Sequence, residues 1–225
     1  MTITADRTVG ELAVEHPLAT RVFARHRIDF CCGGGKPLSE ACESRNLDIE
    51  MILTEIQKEL TRNDVKEQRW DEAPLNDLIE FILFNYHRPL DEELPRLETM
   101  ATKVFNVHRD KAEETLSELL AVFQGLKAEL EQHMAKEEQI LFPMIQQGQG
   151  SMADGPISVM EHEHESAGAA LARLRTLTND YEVPEAACNT WRALWHGLAA
   201  LEESLHQHIH LENNILFPRA LASGR

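Results

Sequence analysis

Apolar residues along this chain recur at three- and four-residue intervals almost throughout, while the apolar–polar alternation of a strand is nearly absent. That periodicity predicts an all-α protein. Residues 1–62 form a block of short helical pieces. Thr8-Val9-Gly10-Glu11 has the form of a capping box, and Pro17 divides the helical stretch that follows. Gly33-Gly34-Gly35 then interrupts, and Ser39 and Asp48 are placed to cap two more helices, the second ending near Leu60. Residues 63–73 are polar and charge-rich, the composition of a linker. Over 74–225 four long helices are expected. The first covers about 74–106, with Pro89 and Pro95 as kinks or breaks, and the second about 111–146, stopping at Gly148-Gln149-Gly150. The third opens at Pro156 and ends near Asp180, and the fourth covers about 184–218. Four antiparallel helices with short connections are most economically a four-helix bundle.

The bundle repeats itself. His133-Met-Ala-Lys-Glu137-Glu-Gln-Ile-Leu-Phe-Pro143 realigns, 75 positions on, with His208-Ile-His-Leu-Glu212-Asn-Asn-Ile-Leu-Phe-Pro218, and six of the eleven positions are identical. Each copy belongs to one helical hairpin, and the two hairpins are expected to pack with approximate twofold symmetry. Residues four apart share a helix face, so His133 points with Glu137 and His208 with Glu212. One such pair alone is an ordinary solvated face. Among eleven histidines, however, only these two have a glutamate four residues on, and both lead into Ile-Leu-Phe-Pro. His87 and His164 lie 46 and 44 residues before them, at matching depth on the other two helices. In Glu161-His162-Glu163-His164-Glu165, spacing favours His164, with His162 and Glu163 as competitors. Left unpaired in a bundle interior, four imidazoles and two carboxylates would cost several kcal/mol each. Two metal ions, each taking two imidazoles and sharing both carboxylates as bridges, satisfy every group. Nitrogen and oxygen donors without thiolate suit iron or manganese, and imidazole also suits zinc. Bridging carboxylates with open positions resemble a di-iron centre more than a closed zinc site.

Composition narrows the setting. Asp and Glu total 38 against 22 Lys and Arg, a net charge of -16 that repels nucleic acid and anionic membranes and favours cations. The most apolar stretch, Leu78–Tyr86, is about half a membrane span and contains Glu80. The first thirteen residues carry Asp6, Arg7 and Glu11 and no apolar run, so no secretory signal is expected. Cys31, Cys32, Cys42 and Cys188 are too few for a disulfide framework, which points to a reducing cytoplasm. Gly33-Gly-Gly-Lys36-Pro37 lacks the spacer and hydroxyl of a phosphate loop.

Four strings carry a resemblance over nearly the whole chain: Asp29-Phe-Cys31-Cys32-Gly-Gly, His133 to Met144, Gly155-Pro-Ile-Ser-Val-Met-Glu161 and Leu211 to Leu221. With them the chain resembles the hemerythrin-like di-iron proteins of the "repair of iron centres" family. A third glycine after Cys32 and a histidine at His162 depart from the family's pattern. The resemblance implies metal positions at His87, His133, Glu137, His164, His208 and Glu212, preferring His164 to His162, and two iron ions, oxo- and carboxylate-bridged. It also implies repair of iron–sulfur clusters damaged by nitric oxide or oxidants, through iron donation or nitrosyl removal, with iron–sulfur proteins as clients. The same residues would serve a hemerythrin-like oxygen or nitric oxide binder, which calls for a fifth histidine such as His108 or His162, or a nitric oxide reductase. Cys31 and Cys32 are candidates for thiol exchange, and Glu163 and His108 for supporting the ligands. Cys42 and Cys188 are expected to be structural, His206 and His210 exposed, and Trp191 and Trp195 core. A homodimer is compatible with the pattern.

Overall fold

The N-terminal helices start where their caps dictate. In the computed structural model, which describes residues 3–61 and 68–223, α1 (Val9–Glu15) opens on a capping box. The Glu11 amide donates to Thr8 Oγ1, and the Thr8 amide donates to Glu11 Oε2, each at 3.2 Å. Pro17 separates α1 from α2 (Ala19–Arg25). α3 (Leu38–Glu43) begins directly after Pro37, one residue before the expected cap Ser39, whose amide instead donates to Ala5 O at 2.9 Å. α4 (Ile49–Leu60) is capped by Asp48, which accepts from the Glu50 amide at 2.9 Å. These four helices bury Val9, Leu12, Phe23, Leu38, Ile52 and Ile56 against one another.

The bundle is two hairpins. The first contains α5 (Leu75–Ile82), a π-helical turn Leu83–His87, α6 (Arg88–Lys136), a second π-turn Glu137–Leu141, and α7 (Phe142–Gln146). The 49-residue α6 leaves helical geometry at Ala112 (φ -158°, ψ 52°). There the chain reverses, since Glu98 pairs with Gln124 at 3.0 Å and with Lys127 at 2.9 Å. Of the kinks or breaks expected at Pro89 and Pro95, the first takes the form of the π-turn Leu83–His87 just upstream of Pro89. At Pro95 the helix runs on without a break. The second hairpin contains α8 (Asp154–Leu177), α9 (Asn189–Leu211), a third π-turn Glu212–Leu216, and α10 (Phe217–Ala222). α8 begins two residues before Pro156 and stops before three consecutive left-handed residues, Asn179, Asp180 and Tyr181. α9 starts after Cys188 rather than at Pro184.

The bundle interior has two apolar clusters. One, at the Ala112 end, includes Leu90, Leu130, Met134, Ala167 and Leu205. The other includes Ile82, Leu141, Met160, Leu211 and Ile215. Each helix crosses between them at a polar layer, described below.

Part of the expected linker, 63–67, lies outside the described residues. Its C-terminal end is fastened to the bundle: the Trp70 and Phe81 rings lie 4.4 Å apart, and Arg219 donates to Trp70 O and Ala73 O, each at 2.6 Å. The N-terminal helices also dock on the bundle. Asn214 Nδ2 donates to Phe30 O and Cys31 O, each at 3.2 Å. His210 Nδ1 donates to Phe30 O at 3.3 Å, and Arg27 pairs with Asp180. His210 is therefore buried and His206 half-buried under the Phe30 ring, not exposed as the two-residue spacing from His208 suggested. Burial pulls the His210 imidazole down to about 4, against the raising effect of its bond to Phe30. Among the described residues no helix is long and apolar enough to cross a membrane.

Candidate metal centre

Three of the four helices that meet in the polar layer widen into a π-turn there, and the sequence supplies the cause. Each π-turn ends two residues before a proline: His87 before Pro89, Leu141 before Pro143, Leu216 before Pro218. Proline has no N–H and its ring collides with the carbonyl four residues back, and a turn that opens upstream relieves both problems. The widened turns carry His87, Glu137 and Glu212. His133 and His208 stand one turn earlier on α6 and α9, and His164 comes from α8.

All six side chains are buried, and they form two overlapping groups. His87, His208, Glu137 and Glu212 make one; His133, His164 and the same two glutamates make the other, with the ligand atoms of each group within 4.8 Å of one another. Each group draws one imidazole from each hairpin. The paired Nε2 atoms are 3.2 Å apart for His87 and His208 and 3.1 Å apart for His133 and His164. Glu137 Oε2 lies 3.4 Å from His87 Nε2 and 3.3 Å from His133 Nε2. Glu212 lies 3.2 Å from His164 Nε2 and 3.0 Å from His208 Nε2.

The outer faces of three imidazoles are held. His87 Nδ1 meets Glu138 Oε1 at 3.0 Å, and Glu138 is in turn bonded by Arg88 at 2.6 Å. His133 Nδ1 meets Glu163 Oε2 at 2.9 Å, and Lys136 pairs with that carboxylate. His164 Nδ1 meets Asn213 Oδ1 at 2.8 Å. With Nδ1 held from outside, Nε2 of each of these three imidazoles is the atom that faces the two carboxylates. Burial pushes the Glu163 carboxyl up, but Lys136 and His133 outweigh it and hold it below the usual range. Burial would likewise raise Glu212, which His208 and His164 instead hold well below it.

The layer fits a cation. Both oxygens of Glu137 and Oε2 of Glu212 are buried without a hydrogen-bond partner. Buried anionic oxygens in that state cost several kcal/mol each unless a positive charge meets them. Nitrogen donors about 3 Å apart have the spacing of neighbouring corners on one coordination polyhedron. A cavity of about 10 Å³, room for one water-sized molecule, abuts His133, His164 and His208.

Other candidates lie elsewhere. His162 is exposed and faces Glu165, while its neighbour Glu163 reaches the layer by supporting His133. His108 does not support the ligands: it is buried near the Ala112 turn, with Nε2 3.2 Å from Cys188 Sγ and its ring on Trp191. Neither supplies a fifth imidazole. Cys42 is buried in the core of the N-terminal helices and Trp191 and Trp195 in the bundle, whereas Cys188 is exposed. Cys31 and Cys32 are free thiols 3.9 Å apart in a loop organised by Asp29, whose Oδ1 accepts from both cysteine amides at 3.0 and 3.1 Å. The bond from Cys31 lowers the Cys32 thiol and raises Cys31, which is also buried. Cys32 lies within electrostatic reach of His164. Spacing missed Glu138, Asn213, His210 and Asn214, although the repeat itself pairs Glu138 with Asn213.

Residues 78–220 match the model of the hemerythrin HHE cation binding domain, and residues 5–60 match ScdA_N, a domain of unknown function. The chain is 48% identical over 216 residues to the iron-sulfur cluster repair protein YtfE of Musicola paradisiaca, covering 96% of each chain. It is 47% identical over 219 residues to the protein of the same name from Pectobacterium atrosepticum, covering 96% of this chain and 97% of that one. The protein of that name from Yersinia pseudotuberculosis serotype O:1b is also 47% identical, over 216 residues. A cation-binding bundle of hemerythrin type, joined to the same N-terminal unit along almost the full length of these relatives, means that the chain belongs to the iron–sulfur cluster repair protein family.

Proposed function

We propose that this chain repairs iron–sulfur clusters damaged by nitric oxide or oxidants, using two iron ions held in the polar layer. One observation carries the reading: buried, unpartnered carboxylate oxygens of Glu137 and Glu212 face four imidazole nitrogens between two apolar clusters. One ion would lie between His87 and His208, the other between His133 and His164, with Glu137 and Glu212 shared by both. Bound iron supplies reversible one-electron chemistry and exchangeable coordination positions.

The chain's own residues set the conditions for that chemistry. Glu138, Glu163 and Asn213 fix the tautomers of three imidazoles. Leu141, Met134, Ala167 and Leu205 belong to the buried apolar clusters on either side of the layer. Ligation without thiolate favours an iron that can be given up to a client with sulfur ligands. Cys32, a partly exposed thiol with enhanced thiolate character, is the group we assign to nitrosyl or metal exchange, with Cys31 as its hydrogen-bond donor. The units are 1–62 with the thiol pair, a linker over 63–73, and the iron-binding bundle over 74–225. Clients are iron–sulfur proteins, and the free thiols suit a cytoplasmic setting. The relatives' printed names support the repair role.

The test adds ferrous-loaded protein to an iron–sulfur hydro-lyase inactivated by nitric oxide. Activity should return faster than with an equal amount of free ferrous iron, and Glu137→Leu/Glu212→Leu protein should give no more than the free-iron rate. Equal recovery with that variant would overturn the reading.

A further inference from the structure

The internal repeat makes each supporting residue comparable with its counterpart. Glu138 and Asn213 are the same position in the two copies, and each holds the Nδ1 atom of the histidine on its hairpin's other helix. Glu163, the residue before His164, reaches across to hold His133 Nδ1. Its counterpart, the residue before His87, is Tyr86, and the histidine that corresponds to His133 is His208. Tyr86 lies on His208, but as a ring: the two planes are 9° apart with centroids at 5.2 Å. His208 Nδ1 is buried with no hydrogen-bond partner. The two hairpins differ at Glu138 and Asn213, carboxylate against amide, but only where Tyr86 replaces Glu163 is an Nδ1 left without a partner.

We infer that Tyr86 makes the two iron positions unequal, so that the position between His87 and His208 binds iron more weakly than the one between His133 and His164. This rests on the two-iron reading above. An imidazole whose outer N–H donates to a carboxylate is a stronger and better oriented donor than one with no such partner, and losing that support costs about 10–100-fold in metal affinity. His133 has a carboxylate partner in Glu163, itself held by Lys136; His208 has none. His87 and His164 both have partners, a carboxylate in Glu138 and an amide oxygen in Asn213, so the one ligand left without any support is His208. A protein with one easily surrendered iron and one retained iron could donate without losing its site, because the retained ion keeps Glu137 and Glu212 neutralised between deliveries.

The test is an anaerobic titration of the full chain with ferrous iron against a competing chelator, read as iron retained per chain. Wild type should retain two equivalents with dissociation constants at least about tenfold apart. Tyr86→Glu, which restores the carboxylate of the other hairpin, should tighten the weaker equivalent toward the stronger. Glu163→Gln should weaken the stronger equivalent about tenfold and leave the weaker one unchanged. Two equivalents with equal constants in wild type overturn the inference, and so does a Glu163→Gln protein whose stronger equivalent is unaltered. The second variant decides the matter even if Tyr86→Glu does not fold. Fewer than two equivalents in wild type would instead overturn the two-iron reading itself.

Discussion

At the residue scale the polar layer is a set of groups that satisfy one another only in part, as the His208–Glu212 bond stands beside three unpartnered carboxylate oxygens. Four imidazoles turn Nε2 inward, and both oxygens of Glu137 and one of Glu212 have no hydrogen-bond partner, so a cation is the missing partner. Glu137→Leu/Glu212→Leu should lower bound iron from two per chain to below one, measured by metal analysis, while far-ultraviolet circular dichroism stays unchanged. The thiol pair makes a separate prediction. The bond from Cys31 lowers the Cys32 thiol, so its thiolate persists at lower pH than that of an ordinary cysteine. The same bond, with burial, raises Cys31, which stays a thiol. Iodoacetamide at pH 7 should label Cys32 first, and peptide mass spectrometry should find Cys31 labelled only after unfolding. His133, Glu137, His208 and Glu212 are legible from one repeated four-residue spacing, and His87 and His164 from matching offsets of 46 and 44 residues, with His162 and Glu163 as competitors for the last. Glu138 and Asn213 are not, because a carboxylate or amide one residue after a ligand looks like any solvated helix position.

At the element scale the ligands depend on turns that are wider than an α-helix. Ile140-Leu-Phe-Pro143 and its copy read in sequence as register markers, and Pro89 reads as a kink. In the fold the three prolines do one job, opening a π-turn immediately before them. Periodicity cannot reveal this, since one extra residue in a turn shifts the pattern no more than ordinary scatter does. Pro143→Ala/Pro218→Ala should let both turns close to α-helix, raising the stability of metal-free protein by up to about 3 kcal/mol per site in denaturant melts. The same variant should retain at most one iron per chain. Unchanged iron content would show that the wide turns do not position Glu137 and Glu212.

At the scale of the whole molecule, the all-α architecture and the paired hairpins follow from apolar spacing and the repeat, and both are present. The seating of the N-terminal helices was not legible, because it is made by backbone approach rather than by a pattern. A methyl group on Gly34 would sit 2.9 Å from Asn214 Oδ1, 3.0 Å from Phe30 O and 3.1 Å from Gly10 Cα, whereas one on Gly35 would meet nothing. Gly34→Ala should therefore cost about 1–3 kcal/mol and loosen the Cys31-Cys32 loop, seen as faster amide exchange over Phe30–Gly34. Gly35→Ala should stay within about 0.5 kcal/mol of wild type. The departure from the family's two-glycine pattern thus falls where a side chain has room. Whether the layer between the two apolar clusters holds paired iron is tested most directly by anomalous X-ray scattering from crystals of the iron-loaded chain at the iron edge. Two peaks are predicted, one between His87 and His208 and one between His133 and His164, both beside Glu137 and Glu212. A single peak, or iron bound away from these six side chains, would contradict it.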